Sequence, residues 1–387
     1  MSIVLFDNIS RKHLYPLNNA CAVADLRVGI CTAKERWELL LKQTIHVHTE
    51  DYLSLLYDAI PSGAHYWIDA SVLPDRALAE RILSLNENEA LVDTSGLIAG
   101  KKNIDAAHFP KENLLNRFEI ICKYEDVLRI YHAWDIFELN DHMLRNDFAL
   151  LTKDRQSQPL PSGSQYVSPE NIFIEKGAII SCAIINASTG PVYIGKKAAI
   201  MEGALIRGPF AMCDDAVVKM GARIYGATTL GPCCVAGGEI KNAILQGYSN
   251  KSHDGYLGDA VIGRWCNLGA GTTNSNVKNT ASMVKMWNTV AQDYIEANIK
   301  CGVVMGDYSR TAINTSINTG SVIGTCCNIF GEGLLPKYIP DFQWGSKGIT
   351  RYELEKSFKD IDNWKKMKAQ SLSDAEKKIL QYIFETT

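Results

Sequence analysis

The chain has 387 residues, of which 46% are hydrophobic, and this length and composition are those of a globular protein with two or three domains. Its formal net charge of −3 provides no basic surplus for binding nucleic acid, and no apolar run approaches the roughly 20 residues that a membrane span needs. The first residues lack the features of a signal peptide, and none of the 11 cysteines forms a CxxC pair, so reduced cysteines are expected. We therefore expect a cytoplasmic protein that binds neither nucleic acid nor a membrane.

Strands and helices alternate in residues 1–154. The sequence predicts strands at 3–6 and 64–69 and helices at 32–41 and 74–85, followed by a last helix that ends near residue 148. Thr32 with Glu35 three residues later has the pattern of a capping box. Such alternation predicts an α/β domain with a mostly parallel sheet. Residues 155–171, rich in serine, proline and glutamine, are expected to form a linker.

From residue 194 to 230, a large apolar residue recurs at every sixth position, and a small residue follows four positions after most of them. The series is Ile194, Ile200, Ile206, Met212, Val218, Ile224 and Leu230. Neither a helix nor simple strand alternation has this period, whereas hexapeptide repeats form parallel β-helices. The sequence therefore predicts a parallel β-helix over residues 172–345, with a polar excursion around Trp287.

The last segment, residues 346–387, has the pattern of two amphipathic helices, at 352–368 and 373–385. Ser373 and Glu376 form a second capping-box pattern at the start of the final helix. Solenoids commonly cover their open ends with such elements, so the sequence predicts a C-terminal helical cap.

The clearest break in the repeat is the polar, glycine-rich stretch 247–260, which contains His253. An imidazole with an ordinary pKa near 6.5 suits proton transfer at neutral pH. A solvated loop histidine is the alternative interpretation of this residue.

The motifs around this histidine resemble those of a known family. The chain contains H-x-x-Y-x-G-D-A at 253–260 and N-x-G-A-G-T at 267–272, with an arginine and a lysine at matching distances upstream. This pattern resembles the acetyltransferase half of the bifunctional glucosamine-1-phosphate acetyltransferase/UDP-N-acetylglucosamine pyrophosphorylase family. The resemblance extends to variant, nucleotidyltransferase-like members through residues 14–17 and 25–29. It implies a nucleotidyltransferase-like α/β domain, a left-handed β-helix of hexapeptide repeats, and C-terminal helices.

The resemblance implies a role for each matching residue. His253 would be the general base that takes a proton from the attacking sugar amine, and Tyr256 and Asn267 would orient the sugar phosphate and its amine. Arg223 and Lys241 would hold the phosphate, a task that suits a guanidinium and an ammonium group. Without the resemblance, a solvent-facing charge is an equally good interpretation of either cation.

The resemblance also implies a cosubstrate and an assembly. The backbone around Ala270 and Gly271 would lie against the pantetheine arm of acetyl-CoA. The function implied is acetyl transfer to an amino-sugar phosphate in UDP-N-acetylglucosamine biosynthesis. Members of this solenoid class are typically homotrimers whose sites lie between adjacent prisms. The expected partner is thus a small sugar phosphate, and the acetyltransferase site needs no metal.

Two departures from the family pattern limit this inference. Residues 276–279 read Asn-Val-Lys-Asn where the family has Asn-Tyr-Asp-Gly, which leaves the acceptor sugar open. The segment 7–17 after the first strand contains no glycine, whereas pyrophosphorylases have a glycine-rich phosphate loop there. Pyrophosphorylases of the family also have a metal-binding aspartate after the third strand, and only Asp69 could serve as that residue here. Mg²⁺ is therefore expected as a cofactor only if this domain is active. We therefore predict weak or absent pyrophosphorylase activity.

Two other classes of function remain open. One is a sugar-1-phosphate nucleotidyltransferase, making a UDP- or dTDP-sugar, whose β-helix serves oligomerisation. The other is a binding or assembly protein that has lost its sites. The joint occurrence of five matching polar residues favours the acetyltransferase, and the glycine-free segment disfavours the nucleotidyltransferase.

Overall fold

The computed structural model describes residues 2–110, 114–346 and 350–387, and these form two compact units. The first unit is built from a segment that ends at Leu14 and from the segments Ala20–Leu26 and Cys31–His132. The second contains Tyr15–Asn19, Arg27–Ile30 and Ala133–Thr387.

The first unit contains one mixed sheet. Its strands are β1 Ser2–Phe6, β2 Ile45–His48, β3 Ala64–Asp69, β4 Glu89–Asp93, β5 Gly96–Asn103 and β6 Ile120–Lys123. Their order in the sheet is β2-β1-β3-β5-β4-β6. Three pairings are parallel, as expected, but β5 runs antiparallel to both of its neighbours. The reason is local, because only Thr94 and Ser95 separate β4 from β5, and so short a connection makes a hairpin.

The two α-helices described in this unit begin at side-chain caps. Helix α1, Ala33–Leu41, has the predicted capping box, since the Thr32 hydroxyl accepts the Glu35 N–H at 3.1 Å. Helix α2, Arg76–Leu83, is shorter than predicted at both ends. It begins after Asp75, whose carboxylate accepts the Leu78 N–H at 2.8 Å, so Pro74 precedes the helix.

The predicted parallel β-helix is confirmed in the second unit. Among the described residues its coils form mainly two sheets, which we call the thirteen-strand wall and the ten-strand wall; the first branches at Glu239–Gly247, where two series of stacked strands meet. The thirteen-strand wall contains Gln165–Val167, Ile172–Ile174, Ile184–Asn186, Val192–Ile194, Leu205–Arg207, Phe210–Met212, Arg223–Tyr225, Thr228–Leu230, Glu239–Gly247, Tyr256–Arg264, Val304–Met305, Val322–Ile323 and Tyr338–Ile339. The ten-strand wall contains Ile179–Ile180, Ala199–Ile200, Val217–Val218, Val235–Ala236, Asn250–Lys251, Asn267–Leu268, Arg310–Thr311, Asn328–Ile329, Gln343–Trp344 and Thr350–Arg351.

The six-residue period marks the side chains that fill the interior of these coils. All seven residues of the series are at most 3% exposed. Successive coils stack in parallel register, so that Ile200 lies beside Val218 and Ile206 beside Ile224. One short coil cannot bury its own apolar face, and the stack therefore creates a continuous core.

The polar excursion leaves the coil, as predicted. After Thr273–Asn274, which pairs with Ser316–Ile317, the chain forms an antiparallel hairpin of Lys285–Asn288 with Asp293–Glu296. Trp287 of this hairpin stacks on Tyr338, with ring centroids 4.5 Å apart.

Helices of the second unit pack against the outside of the coils. Helices α3, Asp135–Glu138, and α4, Asn140–Thr152, belong to this unit, although both lie within residues 1–154, the predicted first domain. The Asn140 amide donates to the carbonyl oxygen of Ala227 at 2.7 Å, which fixes the start of α4 on the β-helix.

The C-terminal helices α5, Leu354–Lys366, and α6, Asp374–Thr386, form with the predicted capping box at Ser373. The sequence predicts that these helices cover only the open end of the β-helix. In the structure, contacts from α6 and from the turn after α5 reach several successive coils. These contacts pair Lys368 with Asn250 (3.1 Å), Glu376 with Tyr308 (3.0 Å) and Phe384 with Phe342 (ring centroids 5.1 Å). The helices thus lie along the side of the coils. Within the described residues, no helix has the length and apolarity needed to cross a membrane.

Candidate active site

His253 lies at a corner of the β-helix, in a bend between Asn250–Lys251 and Tyr256–Arg264. Its side chain is exposed to a groove of about 330 Å³. The residues that line this groove are Lys219, Met220, Gly237, Gly238, Ser252, His253, Asp254, Ala270 and Gly271. The structure therefore places the predicted general base in the same groove as the two residues predicted to contact acetyl-CoA.

Main-chain hydrogen bonds hold this corner between the coil before it and the coil after it. The Glu239 N–H donates to the Gly255 carbonyl at 3.1 Å, and the Gly271 N–H donates to the Asp254 carbonyl at 3.0 Å. A Cβ at Gly237 would lie 2.4 Å from the carbonyl oxygen of Ser252, so the preceding coil needs glycine there to approach so closely. Much of the groove is therefore lined by main chain and small side chains, which fits an extended thioester arm.

Lys219 also lines the groove, although it is not among the predicted site residues. It follows Val218, whose side chain fills the interior of the coil, and it is partly exposed. The sequence feature that could have indicated Lys219 is its position directly after Val218, an interior residue of the six-residue series. The groove thus holds one ammonium group, from Lys219, and one carboxylate, from Asp254, in addition to the imidazole.

Three of the predicted substrate-binding residues lie on the thirteen-strand wall. Arg223 pairs in register with Glu239, which pairs in turn with Tyr256, so these residues form one row across successive coils. Lys241 lies two positions after Glu239 on the same strand. The wall thus brings two cations and a phenol to neighbouring coils.

Both cations have loose ion-pair partners. Arg223 Nε lies 3.9 Å from a carboxylate oxygen of Glu239, and Lys241 Nζ lies 3.8 Å from one of Asp259. The Arg223 side chain is 51% exposed. A pair at such a distance near the surface contributes little to stability, so an incoming phosphate can compete for Arg223 at little cost.

Asn276 connects Tyr256 to Asp259 through hydrogen bonds. The Asn276 amide donates to Asp259 at 2.5 Å and to the Tyr256 hydroxyl oxygen at 3.1 Å, and Asn242 donates to the other Asp259 oxygen at 2.8 Å. Burial raises the pKa of Tyr256, so its hydroxyl remains protonated. Asp259 belongs to the G-D-A part of the motif, but its role as a support for Asn276 depends on contacts across coils.

Asn267 lies apart from these residues within one chain. It belongs to the ten-strand wall, where it pairs with Asn250 on one side and Arg310 on the other. Arg223, Lys241 and Tyr256 belong to the thirteen-strand wall. A single chain therefore does not present Asn267 on the same wall as the other three.

The first unit contains a separate pocket of about 580 Å³ beside Asp69. Asp69 is buried and accepts hydrogen bonds from Arg129 (2.8 Å) and Asn8 (2.5 Å), and burial raises the pKa of its carboxyl group. Arg129 also pairs with Asp93 at 3.1 Å. Arg129 thus already pairs with the carboxylate of Asp69, the residue expected to bind magnesium. Within residues 2–110, 114–346 and 350–387, no group of three or more His, Cys, Asp or Glu side chains is placed to hold a metal ion.

Comparisons with known proteins agree with the family motifs. One relative is the bifunctional protein GlmU of Synechococcus elongatus, 23% identical over 273 residues that cover 64% of this chain and 55% of the relative. GlmU of Methanocaldococcus jannaschii is 26% identical over 232 residues, covering 60% of this chain and 50% of the relative. A bifunctional sugar-1-phosphate nucleotidylyltransferase/acetyltransferase of Sulfurisphaera tokodaii is 26% identical over 251 residues, covering 59% of this chain and 60% of the relative.

The chain thus spans about half the length of the curated relatives that it matches. Its N-terminal part, residues 3–156, matches the family model described as sugar nucleotidyl transferase. The resemblance predicted from the motifs is therefore confirmed: the chain is similar to bifunctional nucleotidyltransferase/acetyltransferase proteins, with a nucleotidyltransferase-like first part and a β-helix second part.

Proposed function

We propose that this protein is an acetyl-CoA-dependent N-acetyltransferase that acts on an amino-sugar phosphate such as glucosamine-1-phosphate, in UDP-N-acetylglucosamine biosynthesis. The observation that carries the proposal is the groove in which the His253 imidazole lies with Ala270 and Gly271. Similarity to bifunctional proteins with an acetyltransferase activity supports the same reaction class.

His253 acts as the general base. Acetyl-CoA supplies an activated acetyl group as a thioester. An amine can attack such a group only when its nitrogen lone pair is free, so a base must remove the amine proton as the new C–N bond forms. His253 takes this proton, because its imidazole is exposed to the groove that Ala270 and Gly271 also line.

Arg223 and Lys241 hold the phosphate of the acceptor, and the neutral hydroxyl of Tyr256 orients the sugar. The loose ion pairs of both cations support this assignment, since a dianionic phosphate offers each of them a stronger partner. Ala270 and Gly271 bind the pantetheine arm through their backbone.

The active form is a homotrimer whose sites lie between adjacent chains. The separation of Asn267 from Arg223, Lys241 and Tyr256 on two walls of one chain supports this assembly. In the trimer, Asn267 of one chain completes a site with the wall residues of another.

Thiol release from acetyl-CoA tests the proposal. Wild-type protein should release thiol when glucosamine-1-phosphate or a related amino-sugar phosphate is added, and His253→Ala should lower kcat by about 10² to 10⁴, the usual contribution of a general base. The exposed-residue variant His142→Ala serves as a matched control and should retain full activity. Equal activity of the His253→Ala and wild-type proteins would contradict the assignment.

A second candidate function is sugar-1-phosphate nucleotidyl transfer by the first unit, favoured by the family-model match over residues 3–156. The engagement of Asp69 by Arg129 makes a metal-dependent reaction weak or absent. Pyrophosphate release from UTP or dTTP with sugar-1-phosphates should therefore stay near background. Turnover at an ordinary enzymatic rate would contradict this expectation.

A further inference from the structure

Lys251 occupies a position in the β-helix interior that is otherwise filled mainly by apolar side chains. In-register pairing aligns one interior column along the ten-strand wall, and Lys251 lies in it next to Ala236, which is stacked on Val218. Asn250 pairs with Asn267, which places Leu268 on the other side of Lys251. The full column reads Ile180, Ile200, Val218, Ala236, Lys251, Leu268, Thr311 and Ile329.

A lysine at such a position is costly. Its relative exposure is 0%, and removing an ammonium group from water is unfavourable unless its donors find good acceptors. Burial lowers the pKa of Lys251 to about 8, which reflects the same desolvation. An apolar residue would fill the column without this cost, so the stability of the coil does not explain a lysine there.

The amino group of Lys251 bonds to the main chain of the active-site corner. Its Nζ donates to the carbonyl oxygen of His253 in a short hydrogen bond, and it lies 3.5 Å from the carbonyl oxygen of Gly237 on the preceding coil. Both Gly237 and His253 line the groove. The lysine therefore joins the backbone of the proposed base to the backbone of the preceding coil, from inside the coil.

We propose that Lys251 is a positioning residue for acetyl transfer: it fixes the His253 corner through the main chain and so holds the imidazole where it can take the amine proton. The inference rests on the proposed function of His253. Lys251 contacts neither substrate, since its side chain is enclosed in the coil interior. Because misplacing a reacting group by about 1 Å can cost 10²-fold in rate, such a tether has a measurable effect.

The test is Lys251→Met, which keeps the length of the side chain and removes its donors. We expect kcat for acetyl transfer to fall at least about tenfold while KM for acetyl-CoA and for the acceptor stays unchanged. The melting temperature should stay within about 3 °C, because relief of the desolvation cost offsets the lost hydrogen bonds. Ile329→Met, at a distant position of the same column, is the matched control and should leave kcat unchanged.

Three results separate the outcomes. A wild-type kcat in Lys251→Met would overturn the inference. A loss of kcat that disappears when the assay is run well below the melting temperature would also overturn it, since Lys251 would then serve folding alone. If the methionine variant does not fold, Lys251→Gln decides the question, because its side chain is one bond shorter and does not join both carbonyl groups: reduced kcat with unchanged KM supports the inference, and wild-type kcat overturns it. The His253→Ala variant in the same assay reports separately on the proposed function.

Discussion

Buried carboxylates in this protein have two kinds of surroundings. Asp69 and Asp93 share the guanidinium group of Arg129, and all three side chains are less than 5% exposed. Asp341 is also buried, but its hydrogen-bond donors are neutral groups, among them the Thr325 N–H at 2.5 Å and the Asn19 amide at 3.1 Å. We therefore predict that stability depends on the cation for Asp69 and Asp93, and on pH for Asp341.

Arg129→Met should lower the free energy of unfolding of the first unit by about 3–5 kcal/mol, because it leaves two buried carboxylates without their cation. Amide hydrogen exchange of strand β1, measured as a function of urea concentration, reports the free energy of unfolding of this unit. Arg117→Met, at an exposed position, should change stability by less than about 0.5 kcal/mol. A comparably small change in Arg129→Met would show that the buried triad contributes little.

Asp341 should make the second unit less stable as pH rises. Burial raises its pKa from 3.8 to about 6, so the folded state favours the protonated carboxyl. The stabilisation is complete below about pH 4 and is lost as pH rises through about 6, and it corresponds to about 3 kcal/mol.

Thermal denaturation between pH 4 and pH 7 measures this dependence. In Asp341→Asn the decline with pH should be smaller than in the wild type, whereas Asp154→Asn, at an exposed position, should retain the wild-type slope. An identical slope in the Asp341→Asn protein would contradict the assignment.

At the scale of single elements, the two capping boxes show how far local sequence specifies local structure. Both boxes, at Thr32 and Ser373, form as predicted, since every contact in a capping box is made within four residues. The start of α2 differs from the prediction because Asp75 competes with Pro74 for the beginning of that helix, and the carboxylate caps it.

Ser373→Ala should destabilise helix α6 by about 1 kcal/mol, because the Glu376 N–H loses the hydroxyl that accepts it at 3.2 Å. Faster amide hydrogen exchange in the first turn of α6 would report this loss. Ser371→Ala, two residues earlier and exposed, removes the same hydroxyl outside the helix and should leave the exchange unchanged. Equal exchange rates in the two variants would contradict the contribution of the cap.

At the scale of the whole molecule, the proposed trimer makes Asn267 and Tyr256 contributions of different chains to one site. Co-expressed Tyr256→Ala and Asn267→Ala chains should then recover activity above that of either variant alone. Random mixing would restore about a quarter of the sites. Thiol release from purified mixed assemblies, with light scattering to give their mass, measures the recovery. Absence of recovery in a verified mixed trimer would show that each chain builds its site alone.

The sequence alone determined the features that depend on the six-residue repeat and on residues that are close together in the sequence. The six-residue series predicted the parallel β-helix and its interior residues, since every coil must bury the same positions against the next. Residues about seventeen positions apart, such as His253 and Ala270, lie on two successive coils and therefore line one groove.

Tertiary structure alone decided the features that depend on contacts distant in sequence. The packing of α4 and of the C-terminal helices along the coils could not be predicted from amphipathic patterns, which show that a face is buried but not what covers it. The pairing of Asp69 with Arg129 likewise joins residues 60 positions apart. Lys251 illustrates the reason most directly: its sequence neighbours indicate a polar loop, and only the register of stacked coils turns its side chain into the core, toward the carbonyl of His253.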